Sequence, residues 1–153
     1  MVKKADTAIA VELYALWARY RTDILRIEAR CFGDNGSDEG DLESMVKTAL
    51  FLAVIREGDK CFGYCLVNRR WPDTAYINFT AIEPLYQNKG HLSTLISAVE
   101  DELRTIGYPY MERNCRIETG YADQVQKHYG DRIVSTHDHQ SHLGPLRFFR
   151  IKL

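Results

Sequence analysis

The chain lacks the features that would place it in several broad classes. Its formal net charge is only -1 over 153 residues, so there is no basic field of the kind that nonspecific nucleic-acid binding needs. No apolar run is long enough to span a bilayer. The first residues, MVKKADTAIAVELYALW, are interrupted by Asp6 and Glu12, which breaks the apolar core of a secretory signal, and a cytoplasmic protein is expected. Internal repeats and low-complexity linkers are absent, so residues 1–153 read as a single domain. The four cysteines, Cys31, Cys61, Cys65 and Cys115, form no CxxC pair, which removes the usual spacing of a structural zinc site. Cys61 and Cys65 stand four apart in a strand-like stretch and would share a face. Reduced cysteines packed in a core are the expectation.

What is present is ordinary globular material: 45% hydrophobic and 27% charged residues leave no room for a disordered chain. Thr7 to Tyr14 reads as a short strand, or as the opening of the following helix. Arg21 to Phe32 reads as a helix, with Ile24, Leu25, Ile27 and Phe32 on its apolar side. The loop GDNGSDEGD follows, where Asp41 or Ser37 could cap a second helix running to about Ala49. Three strands are then predicted: Phe51 to Arg56, Cys61 to Asn68 and Thr74 to Ile82. They are separated by EGDK and by RRWPD, so an antiparallel meander is expected.

The helix after the third strand is the clearest element. Leu92, Leu95, Ile96, Val99, Leu103 and Ile106 recur at helical spacing, and Gly107 sits at the C-terminal cap. A strand near Tyr110 to Ile117, a helix from about Ala122 to His128, and two strands (Asp131 to Thr136, Leu146 to Lys152) close the chain. The order implies an α+β or mixed α/β fold with an antiparallel half and one strand–helix–strand crossover.

Between the third strand and the clear helix lies IEPLYQNKGHL, Ile82 to Leu92. A strand, a tight polar loop with Gly90 and a helix N-terminus together form a natural phosphate cradle. Several backbone N–H groups converge there, and the positive end of the helix dipole favours an anion. An ordinary strand–helix turn is the alternative.

These residues carry a resemblance. The element order and the pattern Ile82, Pro84, Tyr86, Gln87, Gly90 resemble the GNAT superfamily of acyl-CoA-dependent N-acyltransferases, whose signature reads roughly V-x-P-x-[YF]-[QR]-x-x-G-x-[GA]. Leu92 departs from the small residue at the last position, and its side chain must turn into the core. The resemblance implies a central twisted sheet of about six to seven strands flanked by four helices. It also implies acetyl-CoA as cosubstrate, with no metal. The backbone of Ala81, Ile82 and Glu83 would pair with the pantetheine arm. The N–H groups of Gln87, Asn88, Lys89, Gly90, His91 and Leu92, with Ser93, would hold the pyrophosphate. Lys89 would add a point charge or simply be a solvated loop lysine.

A second family segment, N-x-x-A-x-x-[LF]-Y-x-x-x-G, matches Ala122 and Gly130 but places Gln126 where the family's tyrosine protonates the leaving thiolate. Glutamine is no general acid. Tyr129, Tyr121 or a water would take that part, unless Tyr129 is a core aromatic under the helix.

The chemistry implied needs a neutral amine, a donor for the tetrahedral oxyanion and a departing thiolate. By strict alternation Tyr76, Asn78 and Thr80 share one strand face, with Ile77, Phe79 and Ala81 on the other. The polar face would line the acceptor cleft. Glu83 is the first candidate base, or else a solvated residue at a strand end; Glu118, His128 and a water-mediated base follow. The acidic loop of Asp34, Asp38, Glu39, Asp41 and Glu43 suggests a cationic acceptor, or an exposed segment that aids solubility. The stretch HDHQSH, His137 to His142, raises metal binding, with His137 and His139 on one strand face. Polar hairpin residues, some touching the acceptor, fit better.

The expected function is therefore acetyl transfer from acetyl-CoA to a primary amine by direct attack. The acceptor would be a cationic small molecule, a protein lysine or an N-terminus. Neither membrane nor nucleic acid is expected as a partner, and a homodimer is left open. The rivals are a non-turning-over module of the same fold that binds coenzyme A or a protein, a toxin-type acyltransferase acting on charged tRNA, and an unrelated nucleotide-binding α/β domain.

Overall fold

The structure, a computed structural model, describes residues 6–153. Residues 1–5, part of the stretch read for a secretory signal and the start of the expected single domain, lie outside the described residues. Among the described residues no helix is long and apolar enough to cross a membrane.

Among the described residues seven strands form one sheet in the order β1-β2-β3-β4-β5-β7-β6. They are β1 (Thr7–Glu12), β2 (Ala49–Glu57), β3 (Lys60–Trp71), β4 (Thr74–Ile82), β5 (Tyr110–Arg116), β6 (Ile133–Ser141) and β7 (Gly144–Lys152). Among the same residues four α-helices flank it: α1 (Tyr14–Phe32), α2 (Glu39–Val46), α3 (His91–Thr105) and α4 (Tyr121–Tyr129). The expected meander β2-β3-β4 is antiparallel, and β4 and β5 are parallel neighbours joined through α3.

Two apolar cores lie on opposite faces. Leu95, Ile96, Val99 and Leu103 of α3 and Ala122, Val125 and Tyr129 of α4 pack on Ile55, Val67, Ile77, Met111, Phe149 and Ile151. Trp17, Tyr20, Ile24 and Ile27 of α1 and Leu42 and Val46 of α2 pack on Leu52, Val54, Tyr64 and Leu66. Each fully buried Ile or Leu contributes about 1.5–3 kcal/mol, so the sheet is clamped from both sides.

The first helix starts earlier than its periodicity suggests. Its cap residue, Leu13, makes no side-chain cap. The carboxylate of Glu12 accepts instead from the N–H groups of Ala15 (3.0 Å) and Leu16 (3.2 Å), a cap that usual Ser/Thr/Asp/Asn signals do not announce. The second helix is capped by Asp38, in a box where Asp41 N–H donates to Asp38 (2.8 Å) and Asp38 N–H donates to Asp41 (3.3 Å). The last hairpin is longer than expected: β6 runs through the histidine-rich segment to Ser141.

Register irregularities overturn two readings from strict alternation. Ile55 pairs with Gly63 but Arg56 pairs with Cys61, so Phe62 is an extra residue that flips the strand. Cys61 therefore packs under α1 while Cys65 packs under α3 and α4. The two thiols do not share a face, and all four cysteines are free.

Candidate active site

The sheet is open at one place. β4 and β5 pair only through Thr74–Tyr110, Ala75–Met111 and Tyr76–Glu112, although β4 continues six residues beyond Tyr76. The cause is a bulge. Leu66 faces Phe79 while Val67 faces Ile77, so Asn78 has no partner of its own, and such a bulge bends and twists its strand. The bulge also corrects the expected faces. Ile77 packs toward α3 and α4, whereas Phe79 and Ala81 pack toward α1 and α2. Thr80 is thereby turned away from Tyr76 and Asn78, and its hydroxyl donates to the Tyr64 carbonyl at 3.1 Å. Asn78 is tied to Asn68 Oδ1 at 3.2 Å.

Past the bulge the outer edge of β4 faces no strand. Glu83 N–H donates to Phe62 O at 2.7 Å. Antiparallel alternation then directs the amide groups of Phe79 and Ala81 to β3 and those of Thr80 and Ile82 into the gap. Ile82 O accepts from Gln87 Nε2 at 2.9 Å and from the Cys31 thiol at 3.1 Å. An open strand edge of this kind can take an extended ligand as an added strand.

The gap leads to the start of α3. Asn88 (φ 61) and Gly90 (φ 83) adopt left-handed conformations, and no side chain caps the helix. Gln87 N–H closes a turn on Pro84 O and Thr94 N–H bonds to Gly90 O. Among the described residues no backbone N–H from Asn88 to Ser93 makes a well-formed hydrogen bond to the protein, Lys89 N–H only closing a weak turn over Gln87 and Asn88. These donors at a helix N-terminus, with no Cβ at Gly90, make a cradle suited to a phosphate. Leu92 packs its side chain on the core. Tyr86 stacks on Phe62 (centroids 4.1 Å apart), and its ring lies under two ammonium groups, Lys60 at 5.4 Å and Lys89 at 5.9 Å. Sequence reasoning missed Lys60, since only the fold brings the start of β3 beside this loop.

The candidate acid and base have other work. Glu83 is fully buried. Arg30 pairs closely with its Oε1, Arg26 Nε lies 3.6 Å from the same oxygen, and Lys60 Nζ lies 3.5 Å from Oε2. It ties α1 and β3 to the end of β4. Tyr129 is also buried. Its hydroxyl receives a hydrogen bond from Arg113 (3.3 Å) and donates to Glu100 (3.1 Å). Burial pushes its phenol up to about 12. Tyr121, also raised mainly by burial, accepts from Arg113 at 2.5 Å. Gln126 faces outward and accepts from Arg147 at 2.9 Å. In the acidic loop, Asp38 and Asp41 serve the helix cap, and Glu39 pairs with Arg21 at 3.3 Å.

A groove of about 480 Å³ lies on the α1 and α2 side of the sheet, at the vertex of the gap. It is lined by Arg70, Trp71, Glu112, Asn114, His137, His139 and Phe148. Glu112 is buried and doubly paired, with Arg70 Nε at 3.1 Å and Arg150 Nη1 at 2.9 Å. The ring of His137 stacks on Phe148 (4.8 Å). His139 Nε2 lies 2.7 Å from Asn114 Oδ1, and Asn114 Nδ2 donates to the Tyr76 hydroxyl at 3.0 Å. Among the predicted cleft residues, Tyr76 reaches this cluster. The shared face of His137 and His139 was legible from alternation. Their meeting with β5 was not, because it depends on β7 lying between β5 and β6. Among the described residues no group of three or more His, Cys, Asp or Glu is placed to hold a metal.

The sequence model described as the acetyltransferase (GNAT) family matches residues 12–118. No curated protein matches the sequence. Solved structures share the fold. The ribosomal-protein-S18-alanine N-acetyltransferase of Escherichia coli superposes with a TM-score of 0.77 at 16% identity, over 96% of this chain and 94% of that one. Ard1 from Thermoplasma volcanium gives 0.74 at 14% identity, over 96% and 97%. A GNAT family acetyltransferase from Elizabethkingia anophelis, with acetyl-CoA bound, gives 0.69 at 12% identity, over 96% and 98%.

Proposed function

The chain belongs to the GNAT acetyltransferase family, and from that premise we propose that it transfers an acetyl group from acetyl-CoA to a primary amine by direct attack on the thioester. The observation that carries this reading is the gap between β4 and β5 opening onto the N–H groups of Asn88 to Ser93. A pantetheine arm is an extended amide chain and suits the free edge at Thr80 and Ile82. A pyrophosphate suits the cradle at α3, with Lys60 and Lys89 nearby to offset its charge. The bound acetyl-CoA of the Elizabethkingia protein supports the same ligand here.

Residues 1–153 act in this reading as one acyltransferase domain. The amine enters from the groove of Trp71, Asn114, His139 and Phe148 and meets the thioester at the vertex of the gap. The N–H of Thr80, the free-edge donor nearer the vertex, donates to the carbonyl oxygen as it becomes negative, and that of Ile82 serves the pantetheine arm. The aromatic walls favour an amine carried on an apolar or planar group. Asp38 and Asp41 are engaged in the helix cap and Glu39 with Arg21, which leaves Asp34 and Glu43 of the acidic loop to favour a cationic acceptor.

The test measures free thiol released from acetyl-CoA against a panel of primary amines, with thermal stabilisation by coenzyme A alongside. Amine-dependent release and stabilisation together are expected. Stabilisation without release on any amine would reject acetyl transfer while keeping the cradle. No stabilisation would reject the cradle itself.

A further inference from the structure

The vertex of the gap holds a hydrogen-bonded chain that crosses from β4 to β6. Tyr76 belongs to the last pair that β4 makes with β5. Its hydroxyl accepts from Asn114 Nδ2 (3.0 Å), and Asn114 Oδ1 lies 2.7 Å from His139 Nε2. Asn114 sits on β5 and His139 on β6, and the histidine reaches over β7 to meet it. Both line the groove.

The carboxamide settles the roles of both partners. Its nitrogen donates to Tyr76, so its oxygen faces the histidine and must accept. His139 then carries its proton on Nε2, and Nδ1 keeps a lone pair. Tyr76 uses an oxygen lone pair to accept from Asn114, so its own O–H hydrogen is free. One end of the chain is thus a proton acceptor and the other a donor.

Resting on the acetyl-transfer reading above, we propose that His139 takes the proton from the acceptor amine, that Asn114 positions it by fixing its tautomer, and that Tyr76 donates a hydrogen bond to the reacting thioester. As the amine nitrogen forms its bond to the carbonyl carbon, its proton passes to His139 Nδ1. Tyr76 O–H meets the charge that develops on the carbonyl oxygen. The C–S bond then breaks, sulfur leaves with the electron pair, and the proton held by His139 returns through solvent to the thiolate. The products are an acetamide and coenzyme A, with no other reactant needed.

The two buried carboxylates nearest the gap are occupied, while Glu118, just past β5, is exposed and lies outside the groove lining. Glu83 is encircled by Arg26, Arg30 and Lys60, and both oxygens of Glu112 are held by Arg70 and Arg150. The charged and titratable groups around His139 are His137 on its own strand (ring centroids 5.8 Å apart), the Glu112–Arg70–Arg150 set on β5, β3 and β7, and the Asp138–Arg147 pair on the reverse face of the hairpin.

The test has two arms. Proton–nitrogen spectra of histidine-labelled protein, assigned with H139Q, report the tautomer without any acceptor. The proton on Nε2 is expected, with that preference lost in N114A. A proton on Nδ1 would mean the carboxamide faces the other way and would overturn the proposal. In the second arm, amines found active in the thiol assay are used to follow kcat/KM against pH. H139Q should lose about 100-fold or more in kcat, with acetyl-CoA stabilisation unchanged. The limb of the wild-type profile that reports a catalytic base should be missing in H139Q, leaving the limb that reports loss of the amine's own proton. An unchanged profile and rate in H139Q would also overturn the proposal. Failure of the wild type to acetylate any amine would count against the acetyl-transfer reading, and the tautomer would still decide the relay.

Discussion

Tyr76 and Glu112 form the last rung of the parallel ladder between β4 and β5, and every candidate function of this protein is arranged around the point where that ladder stops. Above the rung lie the open edge of β4 and the loop proposed to cradle a phosphate. On the α1 and α2 side of it lies the groove. The bulge at Asn78 produces the separation, so the shape of the end of β4 determines whether a ligand can enter.

That shape depends on Gly63. A Cβ added there would sit 2.5 Å from Ile82 Cδ1 and 2.7 Å from Ile55 Cγ2. Both are core side chains with little room to move, so Gly63→Ala should destabilise by roughly 1–3 kcal/mol. Urea unfolding measures this directly. Because Ile82 must shift, the same variant should raise the KM for acetyl-CoA.

The two lysines over Tyr86 give a second prediction. Lys60→Ala and Lys89→Ala should each weaken coenzyme A binding several-fold, and the double variant should flatten the salt dependence of Kd. Calorimetric titration at two ionic strengths checks it. Lys60→Ala should also lower the melting temperature slightly, since Lys60 serves Glu83 as well.

Glu83 and Tyr129 should show themselves as structural residues. Glu83→Gln removes a buried charge from three cations. The cost should be about 2 kcal/mol or more, below the roughly 3–5 kcal/mol of fully buried pairs because Arg30 and Lys60 are half-exposed. Tyr129→Phe should lower stability by about 1–2 kcal/mol through the loss of its bonds to Arg113 and Glu100. In both variants kcat at saturating substrates should stay within a few-fold of wild type at a temperature where each is folded. A collapse of kcat in either would return it to the chemistry.

Glu28 gives a pH-dependent prediction. It is buried on α1, receives hydrogen bonds from the Tyr64 hydroxyl and, at 3.0 Å, from Ser37 N–H, and desolvation by burial raises its pKa above the ordinary carboxylate value. The folded state therefore binds its proton more tightly than the unfolded state. Its contribution to stability is full below the unfolded value and is lost as pH rises through the raised folded value. The stability of wild type relative to Glu28→Gln, measured from acid to neutral pH, should fall as pH rises. Curves that run parallel would show that Glu28 holds no extra proton.

Much of the fold was legible because it depends on local periodicity. The spacing of Leu95, Ile96, Val99 and Leu103 reports a helix whatever surrounds it, and Thr74 to Ile82 reads as a strand by its composition and bounding turns. Tyr86, Gln87 and Gly90 marked the tight loop before α3 for the same reason, since a short loop carries its own geometry. The side-chain faces were less legible. The extra residues at Phe62 and Asn78 each shift register by one, and one residue reverses a strand face. The start of α1 was hidden because Glu12, an unusual cap, supplies it.

By itself the sequence determined the order of elements, the amphipathic faces of the helices and the tight polar loop before α3, because each follows from interactions among near neighbours in the chain. Only the tertiary structure decided the gap between β4 and β5, the enclosure of Glu83 by Arg26, Arg30 and Lys60, and the alignment of Tyr76, Asn114 and His139. Those depend on strand order and register across long stretches of chain, where distance along the sequence carries no information about distance in space.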